Sequence, residues 1–220
     1  MSNEVETGGE RDAIVEAIPP KVGANNAGTD DPRSKIRRRD RGKKDGWVRD
    51  LMLHAPWGFM ATVGDEGQPS LNSNLFVYDE QQHCIYLHTH RTGRTRKNME
   101  VTDRVAFSVA AMGRLLPADE ALEFSVEYCG VNVFGRGYIV EDIVECKTAL
   151  QALLDKYAPH LAPDRDYRST TDDELRRTAV YRIEIETWSG KQKEAEIDFP
   201  GAFEVKELSV PFPGRPDAPE

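Results

Sequence analysis

Short stretches of alternating apolar and polar residues, separated by tight turns, dominate the middle of this 220-residue chain. Because successive side chains of a strand point to opposite faces, such stretches predict half-buried β-strands. Six or more short strands joined by tight turns favour a barrel, so we expect a mainly β fold, a β-barrel with peripheral helices. The predicted strands are GFMATV (58–63), PSLNSNLFVY (69–78), HCIYLHTH (83–90), RVAFSVAAM (104–112), LEFSVEY (122–128), VNVFGRGYIV (131–140) and TAVYRIEIETW (178–188).

Three segments show helical spacing instead. A short helix should begin at Asp45, which we expect to cap it, and end before Pro56. A second short helix is expected over residues 93–101, after a glycine turn. The third covers residues 143–159 and carries the clearest amphipathic pattern. Its predicted apolar stripe is Ile143, Val144, Leu150, Leu153, Leu154 and Tyr157.

Pro and Gly are concentrated towards the two ends of the chain, which indicates one domain rather than two. We expect a flexible N-terminal tail over residues 1–35, a folded domain over residues 36–208 and a Pro-rich C-terminal tail over residues 209–220. Gly135 and Gly137 interrupt a predicted strand, which indicates a bulge or a close approach of two backbones.

Composition and charge exclude several classes of protein. The first twelve residues lack the basic and apolar regions of a targeting peptide, and no run is long enough to cross a bilayer, so we expect a cytoplasmic protein without a membrane partner. A net charge of −9 opposes general binding of nucleic acid. Three cysteines without a C-x-x-C pair argue against a disulfide framework or a zinc site, and we expect them to be small core residues.

A basic turn follows the strand at residues 83–90. In residues 91–97, Arg91, Arg94, Thr95, Arg96 and Lys97 surround the expected start of a helix, whose first N–H groups have no partner within the helix. Such an arrangement can hold a phosphate. A solvated basic turn on an acidic protein is the alternative.

An unusual polar run interrupts the preceding predicted strand. Asn72, Ser73 and Asn74 stand in a row before Leu75, and buried polar side chains need hydrogen-bond partners. A heterocyclic ligand would supply them, whereas an exposed edge strand would need none.

The order of these segments resembles the flavin-binding half of the pyridoxamine 5′-phosphate oxidase-like split barrels. Arg37-Arg38-Arg39, the first helix, GFMATVGDEGQP, SLNSNLFVYD, IYLHTH, GRTRKN and RVAFSV follow one another as they do in that superfamily. EYCGVNVFGRGYIVED and RIEIETWSGK are similar to the subfamily of nitroimidazole-reductase-type and flavin-nucleotide-binding proteins. The resemblance covers about residues 36–191 and implies a split β-barrel of the FMN-binding type.

The resemblance also implies a cofactor, a partner and a set of site residues. The cofactor is FMN, held at the interface of a homodimer and touched by both chains. Arg94 and Thr95 would hold the phosphate, with Lys97 and Asn98 as further contacts. His88 and Thr89 would lie along the flavin and its ribityl chain, and Trp188 and Lys191 could line the site. The isoalloxazine ring would be bordered by Asn72, Ser73, Asn74 and Leu75.

The chain departs from pyridoxamine 5′-phosphate oxidase itself in two places. The oxidase carries consecutive Arg and Lys in this turn, whereas here Arg94 is followed by Thr95. The Thr95 hydroxyl can still donate to a phosphate. The last strand ends in TWSGKQKEAEIDFPG and lacks the basic, Trp-containing motif that binds pyridoxal phosphate, which argues against oxidation of vitamin B6. Trp188 also has a structural alternative, because a Trp on a strand commonly belongs to the core.

Two function hypotheses follow. The first is an FMN-dependent oxidoreductase that passes electrons from reduced nicotinamide to a small nitroaromatic or quinone-like acceptor, with His88 donating a proton as a catalytic residue. The second is a flavin-binding or sensing protein without turnover; heme and deazaflavin are minor alternatives to FMN. His88 and His90 share a strand face, but no third ligand is evident, so we expect no metal site. The basic segment around residues 33–44 could contact RNA or an anionic lipid, although the resemblance favours an ordered entry to the first helix.

Overall fold

The computed structural model describes residues 31–205 of the chain. The C-terminal tail predicted over 209–220, and residues 1–30 of the predicted N-terminal tail, lie outside the described residues. Where the predicted N-terminal tail is described, Arg33 forms an ion pair with Glu186 at 2.7 Å. Within residues 31–205 no helix combines the length and hydrophobicity needed to span a bilayer.

The described chain is mainly β, as predicted. Eight strands form one antiparallel sheet, and four α-helices and two 3₁₀ turns connect or flank them. The strands are β1 (Gly42–Lys43), β2 (Gly58–Val63), β3 (Pro69–Asn74), β4 (Phe76–Asp79), β5 (Cys84–His90), β6 (Arg104–Leu116), β7 (Ser125–Ile139) and β8 (Thr178–Lys193). The helices are α1 (Asp45–His54), α2 (Arg94–Val101), α3 (Ile143–Tyr157) and α4 (Asp172–Leu175).

The sheet wraps around the main apolar core and remains open along one line. Its strand order is β3-β2-β6-β7-β8-β5-β4, with β1 added alongside β8, so β3 and β4 form its two ends. Residues from β2, β4, β5, β6, β7 and β8 all contribute to the same buried cluster, which includes Met60, Phe76, Phe107, Val133 and Tyr181. We call the gap between β3 and β4 the split.

The predicted strand over residues 69–78 is in fact two strands. The chain breaks at Leu75, so that β3 pairs with β2 whereas β4 pairs with β5. The alternation continues through the break, so the residue pattern alone gave no sign of it. Leu75 is 51% exposed at the bend.

Two predicted strands, over residues 122–128 and 131–140, are in fact one. They form one strand, β7, because the segment around Gly130 pairs on both sides, with Ala110 of β6 and Lys191 of β8. Strands β6 and β8 are also longer than expected.

The bulge predicted near Gly135 is present. The pairing register of β7 with β8 shifts by one residue between Phe134, which pairs with Thr187, and Gly135, which pairs with Ile185. A Cβ atom on Gly135 would lie 2.0 Å from the carbonyl oxygen of Glu184. Glycine is therefore required there by close backbone approach.

Two details of the predicted helices are wrong. Lys44 precedes α1 as its N-cap, and Asp45 does not cap the helix; its carboxylate instead accepts a hydrogen bond from the Trp188 indole at 3.0 Å. The buried residues of helix α3 differ from the predicted stripe, of which Leu153 is the one fully buried member among the described residues. Cys146, Ala149 and Leu153 are buried against the outer face of the sheet, whereas Ile143 and Val144 are more than half exposed. Asp142 caps α3 by accepting from the Glu145 N–H.

Cys84 and Cys146 are buried, as expected of small core residues, and Cys129 is half-buried. Cys84 and Cys146 lie with Tyr86, Ala149 and Val180 between α3 and the sheet. Burial raises the pKa of the Cys84 thiol to about 12, because a thiolate would lose its hydration there.

Candidate functional site

The start of α2 carries free hydrogen-bond donors and free positive charge. Its N-cap is Gly93, and no side chain caps the helix, so the first N–H groups remain available. Arg94 and Lys97 are exposed and, within residues 31–205, have no ion-pair partner, whereas Arg96 pairs with Glu100 at 2.8 Å. The turn therefore offers what an anion needs.

Two adjacent cavities flank this helix start and share Thr92, Gly93 and Arg94; together we call them the groove. One has a volume of about 600 Å³ and the other of about 380 Å³. Both volumes lie within the range of about 300–1,000 Å³ that is usual for small-molecule sites. The first is lined by Gly64, Asp65, Thr92, Gly93, Arg94, Lys97, Asn98 and Val101, and the second by Ser70, Leu71, Asn72, Thr89, His90, Thr92, Gly93, Arg94 and Thr95.

Strand β3 lines the groove with Ser70, Leu71 and Asn72. The Asn72 amide donates to Asn74 Oδ1 at 3.2 Å and to Thr95 Oγ1 at 3.4 Å, which links the strand to the first turn of α2. Asn74 donates back to the Asn72 carbonyl oxygen at 2.8 Å. Ser73 points to the opposite, outer face of β3, so the three predicted polar residues do not act as one set.

Asn98 is a structural residue of the groove. It is buried, and its amide donates to Thr62 Oγ1 at 2.9 Å. Its Oδ1 lies so close to Gly64 that a Cβ atom there would approach it to 2.9 Å. Asn98 thus fixes α2 against β2, and Arg94 and Lys97 are presented to the groove from that anchored helix.

The neighbouring residues Thr89 and His88 lie on opposite faces of β5. Thr89 lines the groove, and its hydroxyl is within 3.0 Å of the Tyr181 hydroxyl in the core. His88 is exposed on the face that carries Cys84 and Tyr86, and it does not line the groove. Partial desolvation lowers the pKa of its imidazole. A catalytic role for His88 stays a prediction.

Trp188 and Lys191 lie far along β8 from the groove of their own chain. Thr89 pairs with Ala179, near the start of β8, whereas Trp188 is nine residues further on. Trp188 is 3% exposed and packs on Tyr78, which agrees with the structural alternative. Lys191 is exposed, and its ammonium lies 5.4 Å from the centroid of the Tyr128 ring. The fold therefore does not bring either residue to Arg94 within one chain.

Several groove residues were not predicted. Gly64, Asp65 and His90 were not among the predicted cofactor contacts. His90 lines the groove, and its Nδ1 lies 3.0 Å from Thr92 Oγ1. The described residues contain no group of three or more His, Cys, Asp or Glu side chains placed to hold a metal ion. These neighbours come together because α2 packs on β2 and β3, a contact that the local pattern does not encode.

Solved structures of similar fold cover most of the chain. The flavocytochrome Anf3 from Azotobacter vinelandii has a TM-score of 0.64 and 21% identity, over 86% of this chain and 93% of that one. An FAD- and heme-binding protein from Mycobacterium smegmatis has a TM-score of 0.62 and 23% identity, over 70% of this chain and 74% of that one. A protein described as a 5-nitroimidazole antibiotic resistance protein, from Bacteroides thetaiotaomicron, has a TM-score of 0.56 and 18% identity, over 69% of this chain and 89% of that one.

These likenesses show a shared fold. No curated protein matches the chain. The profile of a protein family, described as pyridoxamine 5′-phosphate oxidase, matches residues 48–192, which include every strand from β2 to β7 and nearly all of β8. With its split barrel and this match over more than half of its length, the chain belongs to the pyridoxamine 5′-phosphate oxidase family.

Proposed function

We propose that this protein is a flavoprotein that holds FMN in the groove and passes electrons from a reduced nicotinamide to a small nitroaromatic or quinone-like acceptor. The observation that carries the proposal is the uncapped start of α2, with the unpaired Arg94 and Lys97 beside it. A phosphate would accept hydrogen bonds from the free N–H groups and gain charge-assisted contacts from both side chains.

The rest of the groove fits a flavin nucleotide in chemistry and size. Thr95 and Thr92 offer hydroxyl groups near the phosphate position, and Thr89 lies further along. Asn72 and Asn74 present amide groups on the split side of β3, where the carbonyl and N–H edges of a flavin ring would need partners. Asp65 is the one carboxylate that lines the groove in the described part of the chain, and the basic groups outnumber it.

The solved relatives support flavin as the class of cofactor. Two of them are described by the flavin or heme that they bind, one as an FAD- and heme-binding protein and one as a flavocytochrome. FMN is our choice within this class because the groove offers one cluster of phosphate-binding groups.

Flavin, when bound, accepts and donates the electrons. The chain would hold the phosphate with Arg94, Lys97 and the α2 N–H groups, orient the ring with Asn72 and Asn74, and exclude water with the walls of the split. His88 is the predicted proton donor.

We also propose that the protein is a homodimer with flavin at the interface. The outer face of β2 and β3 exposes large apolar side chains next to the groove: Phe59 is 43% exposed and Leu71 is 72% exposed. Trp57 and Leu75 extend this apolar face at its rim. A second copy would cover this surface, and contiguous exposed apolar patches commonly mark interfaces.

The first test is a titration of the purified protein with FMN, FAD and heme, followed by absorbance and flavin fluorescence. We expect FMN to bind, and Arg94→Ala to weaken its affinity about 10–100-fold through loss of a charged phosphate contact. Arg165→Ala is the control, because Arg165 is exposed and pairs with Asp166 away from the groove. Binding of FAD alone would mean that the cofactor is FAD rather than FMN. A protein that binds neither flavin would refute the proposal.

A second measurement separates an oxidoreductase from a flavin-binding protein without turnover. NADH or NADPH is added to the loaded protein, and then a nitroaromatic or a quinone. Bleaching by the nicotinamide and recovery of colour with the acceptor support the oxidoreductase. A flavin that stays oxidised with both nicotinamides supports the non-catalytic alternative.

A further inference from the structure

Lys156 carries a positive charge into the interior of the fold without a partner. Its Nζ atom is buried and, among the residues that the structure describes, has no hydrogen-bond acceptor. The ammonium instead lies 3.9 Å from the centroid of the Phe76 ring and 5.3 Å from that of Tyr157. No ion pair with Lys156 occurs within residues 31–205.

The route of this side chain leads through the split. Helix α3 packs on the outer face of the sheet, whereas the Phe76 ring is fully buried in the inner core against Phe107. The Tyr157 hydroxyl donates to the carbonyl oxygen of Phe76 at 3.0 Å and accepts from its N–H at 3.1 Å, which places the end of α3 against the free edge of β4. Lys156, the preceding residue, therefore reaches the inner ring past that edge.

An unpaired buried ammonium is costly to keep. Burial lowers the pKa of Lys156 to about 8, so the side chain is still mostly charged at neutral pH. The two aromatic faces offset part of the lost hydration, since a desolvated cation is attracted to the face of a ring. Met would fill similar space without burying a charge. The buried charge of Lys156 therefore points to an anionic or electron-rich group that enters the split.

Lys156 lies beyond the groove, and neither Lys156 nor Phe76 lines either cavity. The phosphate-binding groups, Arg94 and Lys97, lie at α2. Phe76 follows the groove-lining Asn72 by four residues, which corresponds to about 13 Å of extended chain. If FMN lies with its phosphate at Arg94, its ring therefore extends along Asn72 and Asn74 towards the ammonium.

We propose that Lys156 is a fixed positive charge that favours the reduced over the oxidised flavin ring from within the split. This rests on the proposed function. A ring that takes up electrons gains negative charge, and a nearby ammonium in a poorly hydrated interior stabilises that charge. Because Nζ is buried under Phe76, the effect acts through space and Lys156 is a tuning residue rather than a catalytic one.

The test compares the midpoint potential of bound FMN in the wild type, in Lys156→Met and in Lys147→Met. Lys147 is the control, because it lies on the same helix but is exposed and paired with Asp172 at 2.7 Å. We expect Lys156→Met to lower the preference for reduced over oxidised flavin at least tenfold at pH 7, which is about 30 mV for a two-electron couple. Lys147→Met should leave the potential unchanged, and Lys156→Arg should retain most of the effect.

A second measurement uses the unaltered protein, so that it does not depend on whether the variants fold. The Lys156 Cε signal is followed by NMR against pH in the flavin-free, oxidised and reduced protein. By reciprocity, the pKa of Lys156 should be higher with reduced than with oxidised flavin. An unchanged potential in a folded, flavin-loaded Lys156→Met protein, or an unchanged Lys156 pKa on reduction, would overturn the proposal. Failure of the wild type to bind flavin would instead refute the proposed function.

Discussion

Neighbouring residues of α2 have different roles in the groove: some are placed to bind a ligand, and others hold the helix in place. Arg94 and Lys97 are exposed and unpaired in the described chain, so a ligand can reach them. Asn98 is buried and already satisfied by Thr62 at 2.9 Å. The basic turn could be recognised from its residues, because charge and the glycine before a helix are local signals. The inward direction of Asn98 could not, because it depends on how α2 packs against β2.

Replacement of Asn98 should therefore affect stability rather than affinity. Asn98→Ala leaves the Thr62 hydroxyl buried without its donor, and we expect the free energy of unfolding to fall by about 1–3 kcal/mol. The affinity of the folded protein for FMN should change by no more than about threefold. Urea denaturation and flavin titration measure the two quantities. Arg94→Ala should show the opposite pattern, and a stable Asn98→Ala protein that has lost FMN would assign Asn98 to the ligand instead.

At the scale of the elements, breaks and joins between strands decide where the groove lies. The chain bends at Leu75 so that β3 and β4 pair with different neighbours, and this opens the split. Neither this break nor the continuity of β7 through Gly130 followed from the residue pattern, because strand pairing is settled by residues far apart in sequence. Gly135 was predictable, since a glycine inside a strand indicates a special backbone position.

The bulge at Gly135 gives a prediction for β7. Gly135→Ala would place a Cβ atom 2.0 Å from the Glu184 carbonyl oxygen. The two strands must then separate, and we expect a loss of about 3 kcal/mol in the free energy of unfolding. Gly46→Ala is the matched control, because a Cβ atom there meets nothing within 4 Å and Gly46 lies in α1. It should be neutral or stabilise by about 0.5 kcal/mol. Equal stabilities of the two variants in urea would contradict a tight bulge.

At the scale of the whole molecule, the proposed second copy would add residues to the groove. Trp188 and Lys191 were expected at the flavin site, yet they lie far from the groove of their own chain. Sequence order carries no information on which chain completes a site. The exposed outer face of β2 and β3 is the surface where a partner would bring new residues to the groove.

A charge on this face should break the proposed dimer. Leu71 is 72% exposed, so Leu71→Asp costs the single chain little, but it would bury a carboxylate in an apolar interface. Leu122→Asp is the control, since Leu122 is 91% exposed in a 3₁₀ turn away from this face. Light scattering after size exclusion should give the mass of two chains for the wild type and Leu122→Asp, and of one chain for Leu71→Asp. If the Leu71→Asp protein keeps the mass of two chains, the interface lies on another surface.

The hydroxyl of Tyr157 has a consequence for self-association. It occupies both backbone hydrogen-bonding groups of Phe76, so a foreign strand cannot add to β4 at that point without displacing the end of α3. Strand β3 forms the other end of the sheet. If the end of α3 frays, β4 gains a free edge, and the two ends of the sheet become available for strand exchange between molecules. Loss of the Tyr157 hydroxyl would then show itself as aggregation on storage before any loss of the fold.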